Sequence, residues 1–138
     1  MRIGRALYEE IVAHASESVP QECCGLVASS GDEAVRVYRV ENVHEHPKYG
    51  YVVDGRELYA RLDEIEGQGW RLGAIYHSHP RTAPVPSQTD INLAVVEGVG
   101  PVWPGTVYII VGFETAQPQV RAYRIESSSP EEVELSVE

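Results

Sequence analysis

The apolar run Leu72-Gly73-Ala74-Ile75-Tyr76 passes without interruption into His77-Ser78-His79 and is then stopped by Pro80. A run this short and this uniformly apolar suits a strand buried on both faces. Proline has no N–H to offer a ladder, so regular pairing ends there. Side chains two residues apart on a strand point the same way, which puts both imidazoles on one side of the strand's end. Any fold for this chain has to place titratable groups at the tip of a buried strand.

The rest of the chain supplies partners for that strand. Leu7, Ile11 and Ala15 recur at helical spacing between Arg5 and Ser18, and Pro20 prevents continuation. Cys23 to Ala28 reads as a buried strand, and Val35, Val37 and Val40 as a second, paired as a hairpin across Gly31-Asp32. Asp54 with Glu57 resembles a capping box for a helix through Leu58, Leu62 and Ile65, ending at Gly67 and Gly69. Ser87 can cap a third helix running through Ile91 and Leu93 to Val95, with Gly98 and Gly100 ending it. Thr106–Val111 and Val120–Ile125 read as later strands, and Val133, Leu135 and Val137 alternate with glutamates in an expected edge strand. Helices mixed with hairpin-linked strands predict a mixed α/β, α+β-like sandwich around one sheet, and 138 residues suffice for one domain over 1–138.

Charge narrows the partners. A formal net charge of −10 opposes binding to nucleic acid or to an anionic membrane surface, both of which call for clustered Lys and Arg. A protein, peptide or small molecule is favoured. The only cysteines, Cys23 and Cys24, are adjacent and poorly placed for a disulfide, so both are expected reduced and in the core of a cytoplasmic protein. No apolar run approaches the roughly 18 residues of a membrane span, and no leader opens the chain.

Two imidazoles at a strand end suit zinc, and a catalytic zinc takes a third protein ligand while leaving a position for water. Asp90, in the first turn of the expected third helix, is the best candidate. The pattern has a plainer reading too, since H-x-H occurs on ordinary strands and Ser87-x-x-Asp90 could be a helix cap alone. His44-Glu45-His46 repeats the spacing but lies in the polar stretch Asn42–Lys48, which reads as an exposed loop.

The full string His77-Ser78-His79-Pro80, six residues, then Ser87-x-x-Asp90 resembles the signature of the JAMM (MPN+) metallopeptidases. The resemblance implies the cytidine-deaminase-like JAMM/MPN sandwich, with a central, mostly antiparallel sheet flanked by helices. It implies one catalytic Zn2+ on His77, His79 and Asp90, and a Ser87 hydroxyl that stabilises the oxyanion. It also implies an upstream glutamate as general acid/base, for which Glu22 in Pro20-Gln21-Glu22-Cys23-Cys24-Gly25-Leu26 matches. The size and that segment resemble the free-standing prokaryotic branch, whose members hydrolyse the amide after the C-terminal Gly-Gly of ubiquitin-like or sulfur-carrier proteins, some releasing cysteine. Val52-Val53 and Ala83–Val85 are candidate edges for such a tail. A noncatalytic MPN-type interaction module would lack the ligands kept here. A zinc hydrolase of a small-molecule amide is the other alternative, although the deaminase motifs H-x-E and P-C-x-x-C are absent.

Overall fold

Ten strands and three helices are described over residues 1–138 in a computed structural model. Eight strands form one sheet in the order β10 (Ser136–Val137), β1 (Arg2–Ile3), β3 (Glu33–Val40), β2 (Cys24–Ser30), β4 (Arg71–His79), β7 (Val107–Gly112), β8 (Gln119–Arg124) and β9 (Glu131–Val133). Its centre is β4 (Arg71–His79), antiparallel to β2 (Cys24–Ser30) and parallel to β7 (Val107–Gly112). The apolar run marked a buried strand without giving its neighbours: a strand flanked on two sides and covered on two faces has no solvent-facing register to alternate into. β2 also pairs antiparallel with β3 (Glu33–Val40), across a turn in which Gly31 takes a φ of 59°. β8 (Gln119–Arg124) pairs antiparallel with β7.

The chain end departs from expectation. The glutamate-interleaved segment is two strands: β9 (Glu131–Val133) pairs with β8 at one edge, and β10 (Ser136–Val137) pairs with β1 (Arg2–Ile3) at the other. Only Glu134 and Leu135 separate them, so the two edges lie side by side and the sheet is curled upon itself. Alternation revealed the strand character but not the change of partner.

Side-chain alternation splits the core. One cluster, with Ile3, Val27, Tyr76, Ile109 and Val111, packs under α1 (Arg5–Ser18) through Ile11 and Ala15. The other, with Leu26, Ile75, Tyr108 and Ile110, packs under α2 (Gly55–Gly67) through Ile65 and under α3 (Gln88–Ala94) through Ala94. His77 and His79 share the face of Ile75 and therefore open toward α2 and α3.

Two helix ends differ from the sequence reading. Asp54 caps α2 by accepting from the Glu57 N–H, but the Glu57 carboxylate accepts from the Glu41 N–H instead of returning to the cap, so the box is half formed. α3 stops at Ala94, and Val95–Val96 (β5) pairs with Gly100–Pro101 (β6). Gly98 and Gly100, both at positive φ, shape that hairpin and do not terminate the helix.

Candidate active site

β4 carries His77 and His79 to its end, 1% and 9% exposed. The loop after Pro80 folds back against β7 and β8: the Phe113 N–H donates to the carbonyls of His79 and Thr82, and the Tyr123 hydroxyl donates to the Pro84 carbonyl at 2.8 Å. A Cβ on Gly112 would strike Pro84, so glycine is what lets the loop lie this close. The return places the N-terminus of α3 over the histidines. There Ser87 and Asp90 form a reciprocal capping box, with the Asp90 N–H donating to Ser87 Oγ at 3.1 Å and the Ser87 N–H donating to Asp90 Oδ2 at 2.9 Å.

Three potential ligand atoms converge. His77 Nε2 lies 3.1 Å from His79 Nε2 and 3.2 Å from Asp90 Oδ2, and His79 Nε2 lies 3.1 Å from Asp90 Oδ2. Tetrahedral zinc with bonds of about 2.0–2.1 Å separates its ligands by about 3.3 Å, so the donor set fits such an ion closely. The tautomer fits too: His79 Nδ1 lies 3.0 Å from the Ala83 carbonyl, which can only accept. Nδ1 therefore holds a hydrogen, which leaves Nε2 as the atom directed at the cleft, donating to Asp90 when protonated and able to ligate a metal once that proton is lost.

Electrostatics favour the ligating form of His77 and Asp90, while His79 is held toward its charged form by Asp90. Burial lowers the His77 pKa, against the pull of Asp90, which favours the neutral ring a metal requires. Burial opposes charge on His79 as well, but its bonds to Asp90 and Ala83 outweigh burial and raise it. Burial would protonate Asp90, yet the hydrogen bonds of His77, His79 and the Ser87 N–H hold it far below the usual carboxylate range. Asp90 is thus an anion throughout the physiological range.

Glu22 precedes β2 and lines the same cleft, of about 440 Å³, as His79, Ser87 and Asp90. Its carboxylate has no hydrogen-bond partner, and burial, partly offset by His79 and Arg81, pushes its pKa up to about 7. Its backbone is fixed at both ends: the N–H donates to the Pro47 carbonyl, and the carbonyl accepts from Asn42 Nδ2. Ser87 Oγ accepts one bond and keeps its hydroxyl hydrogen, so capping the helix leaves it free to donate into the cleft.

Several contributors escaped the sequence reading. Tyr51 stacks on His77 with ring centroids 4.5 Å apart, shielding one face of the ring. Ser78 Oγ accepts from the Cys23 N–H at 2.9 Å, holding the segment that carries Glu22 against β4. Asn42 bonds the Glu22 and Gly50 carbonyls through Nδ2 and the His44 and Val52 N–H groups through Oδ1. An asparagine before a polar loop signals a turn, which is the only trace these roles leave in the sequence. His44 lines the outer cleft, but its Nδ1 accepts from the His46 N–H and neither ring joins the ligand cluster. Cys23 and Cys24 are buried and free, with burial pushing them up to about 11 and about 12, as expected of core thiols. The candidate edges Val52-Val53 and Ala83–Val85 are partly taken up within the chain. Val52 uses both its N–H and its carbonyl within the loop, and the Ala83 and Pro84 carbonyls and the Val85 N–H are likewise engaged.

The family model for prokaryotic homologues of the JAB domain matches residues 4–126. A desampylase of Haloferax volcanii is 35% identical over 135 residues, covering 94% of this chain and 88% of that protein. A probable TtuB-protein conjugate cleaving protease of Thermus thermophilus is 40% identical over 92 residues, covering 67% and 62%. A CysO-cysteine peptidase of Mycobacterium tuberculosis is 30% identical over 136 residues, covering 95% and 86%. Among solved structures, a JAB1/MPN domain protein of Archaeoglobus fulgidus superposes with a TM-score of 0.63 at 22% identity, covering 99% and 95%, a likeness of fold.

Proposed function

The chain belongs to the prokaryotic JAB-domain family of JAMM-type metallopeptidases, and from that premise we propose that it hydrolyses the amide after the C-terminal Gly-Gly of a ubiquitin-like or sulfur-carrier protein. The observation that carries this reading is the convergence of three ligand atoms within 3.2 Å of one another beside an unpartnered Glu22 carboxylate. Names of relatives point the same way, since they include a probable TtuB-protein conjugate cleaving protease and a CysO-cysteine peptidase.

His77, His79 and Asp90 would hold one zinc ion. When bound, zinc supplies Lewis acidity that makes water a competent nucleophile near neutral pH and polarises the scissile carbonyl. Glu22 acts as general base and acid: it takes a proton from the attacking water and delivers it to the departing amine nitrogen. A carboxyl pushed up to about 7 exchanges protons readily in both directions near neutrality. The Ser87 hydroxyl donates to the carbonyl oxygen as negative charge develops there. Tyr51, Val52 and Leu93 wall the cleft, narrowing the space beside the site so that two residues without side chains pass most easily.

We read residues 1–138 as one catalytic domain acting in the cytoplasm. Two buried free thiols support the compartment, and no helix is long and apolar enough to cross a membrane. The test is incubation of the zinc-loaded protein with a Gly-Gly carrier extended by cysteine or a short peptide, followed by mass. Cleavage directly after Gly-Gly that a chelator and Glu22→Gln both stop is expected. Equal cleavage by Glu22→Gln would remove Glu22 from its role.

A further inference from the structure

The two ends of the cleft differ in chemistry. At one end lie Tyr51, Val52 and Leu93, which also line an adjoining apolar pocket beneath α2. At the other, beyond Glu22 and His79, is a hollow of about 160 Å³ bordered by Lys48, Tyr49, Arg81 and Thr82. Lys48 is the chain's one lysine. Neither it nor Arg81 is paired with a carboxylate, as is also true of Arg5, Arg36, Arg56, Arg71 and Arg121, but of these unpaired cations only Lys48 and Arg81 border the cleft and its hollow. The Arg81 guanidinium lies 5.1 Å from the centroid of the Tyr49 ring, which orients its fork. Its charge also reaches Glu22, the one acid lining the hollow.

We propose that this hollow receives the leaving group and that Arg81 and Lys48 bind its free α-carboxylate, so that the preferred substrate carries a single amino acid or very short peptide after Gly-Gly. The inference rests on the peptidase reading above and adds the class of amine released. Direction follows from the residues shared between the two spaces. Ser87 and Asp90 line the main cleft but not the hollow, so the carbonyl and its acyl chain belong on their side. Glu22 lines both and hands its proton to the amine, which therefore departs toward Lys48 and Arg81. In the reaction water's oxygen bonds to the glycine carbonyl carbon, the C–N bond breaks, and the water proton taken by Glu22 ends on the amine nitrogen.

An α-amino acid bonded through its nitrogen brings its carboxylate within two bonds of the scissile atom, at the mouth of such a hollow. A conjugated lysine side chain brings only methylenes there, and the folded protein behind it. Two cations at the border of one hollow, in a chain of net charge −10, are placed to favour the first and gain nothing from the second.

The test compares synthetic peptides ending in Gly-Gly-Ala as free acid and as C-terminal amide, using zinc-loaded wild type and the Lys48→Gln/Arg81→Gln double variant. Wild type is expected to favour the acid at least tenfold in kcat/KM, mostly through KM, with the preference shrinking as salt is raised. In the double variant the acid-to-amide ratio falls toward one, and a ratio within one protein is insensitive to partial loss of folded enzyme. A wild-type ratio near one, or a ratio unchanged in the variant, overturns the inference while leaving the peptidase reading intact. If neither peptide is cut, the same acid and amide pair is compared on the Gly-Gly carrier with the same criteria, and if the carrier is also left whole the peptidase reading falls and this inference with it.

Discussion

Glu22 is costly to the folded protein and, in the proposed reaction, useful for the same reason. Its partly desolvated carboxyl is raised from 4.5 to about 7, so the fold favours the protonated form. A raised acid contributes stability that is complete below its unfolded value and is lost as pH rises through about 7. Glu22→Gln should therefore stabilise the metal-free protein at pH 8 by roughly 1 kcal/mol, after discounting for partial exposure, and leave it unchanged at pH 4.5. Urea titrations at the two pH values check this, and equal effects at both would separate the raised pKa from stability. The same variant should lose on the order of 100-fold or more in kcat with zinc binding retained. Ser87 couples cap and chemistry more directly. Ser87→Ala should cost about 1 kcal/mol through loss of the bond to the Asp90 N–H, and on the order of 100-fold in kcat through loss of a donor to the oxyanion. Ser87→Gly, which tests the cap by itself, should cost only a few tenths of a kcal/mol in stability and still lose the kcat.

At the scale of elements, the site is a strand end, a returning loop and a helix start, and each was legible to a different degree. His77, His79, Ser87 and Asp90 sit within fourteen residues, so local rules made His77, His79 and Asp90 candidate ligands, strand alternation aligning the imidazoles and the helix start placing Asp90, while only the family resemblance set aside the plainer strand and cap readings and gave Ser87 a role. Glu22 is distant in sequence and only the family resemblance singled it out, because nothing local distinguishes one acid before a strand from another. Tyr51 and Asn42 were not legible, since their roles depend on how the 42–52 loop closes over the β2 and β4 ends. Asn42→Ala leaves the Glu22 and Gly50 carbonyls and two N–H groups without their partner. The expected result is a loss of about 2 kcal/mol and faster proteolysis confined to residues 42–52. Gly25 is an element-level constraint of another kind. A Cβ there would meet the ring of its cross-strand partner Tyr76, which is fully buried and bonded to His14 at 2.7 Å. Gly25→Ala should destabilise by about 1–3 kcal/mol, read as a lower denaturation midpoint.

The whole molecule is a curled sheet whose two edge strands are joined by Glu134 and Leu135, with α1 on one face and α2 and α3 on the other. The sequence predicted the layers and most of the strands. The curl was out of reach because a switch of partner between consecutive strands leaves no mark in hydrophobic periodicity. Pairing with β2 and β7 holds β4 inside the sheet, and with it the rigidity of a ligand set built on a strand and a helix rather than on loops alone. Zinc that binds only the folded form should stabilise it, by about 4 kcal/mol at a thousandfold excess over Kd, visible as a higher melting temperature that chelation reverses. The most direct measurement titrates zinc into metal-stripped protein while following bound metal and cleavage after Gly-Gly on the same samples. Turnover should rise in proportion to bound zinc and level off at about one ion per chain, as expected of a single three-ligand site. Full turnover by the stripped protein, or turnover that does not follow bound zinc, would contradict a metallopeptidase centred on His77, His79 and Asp90.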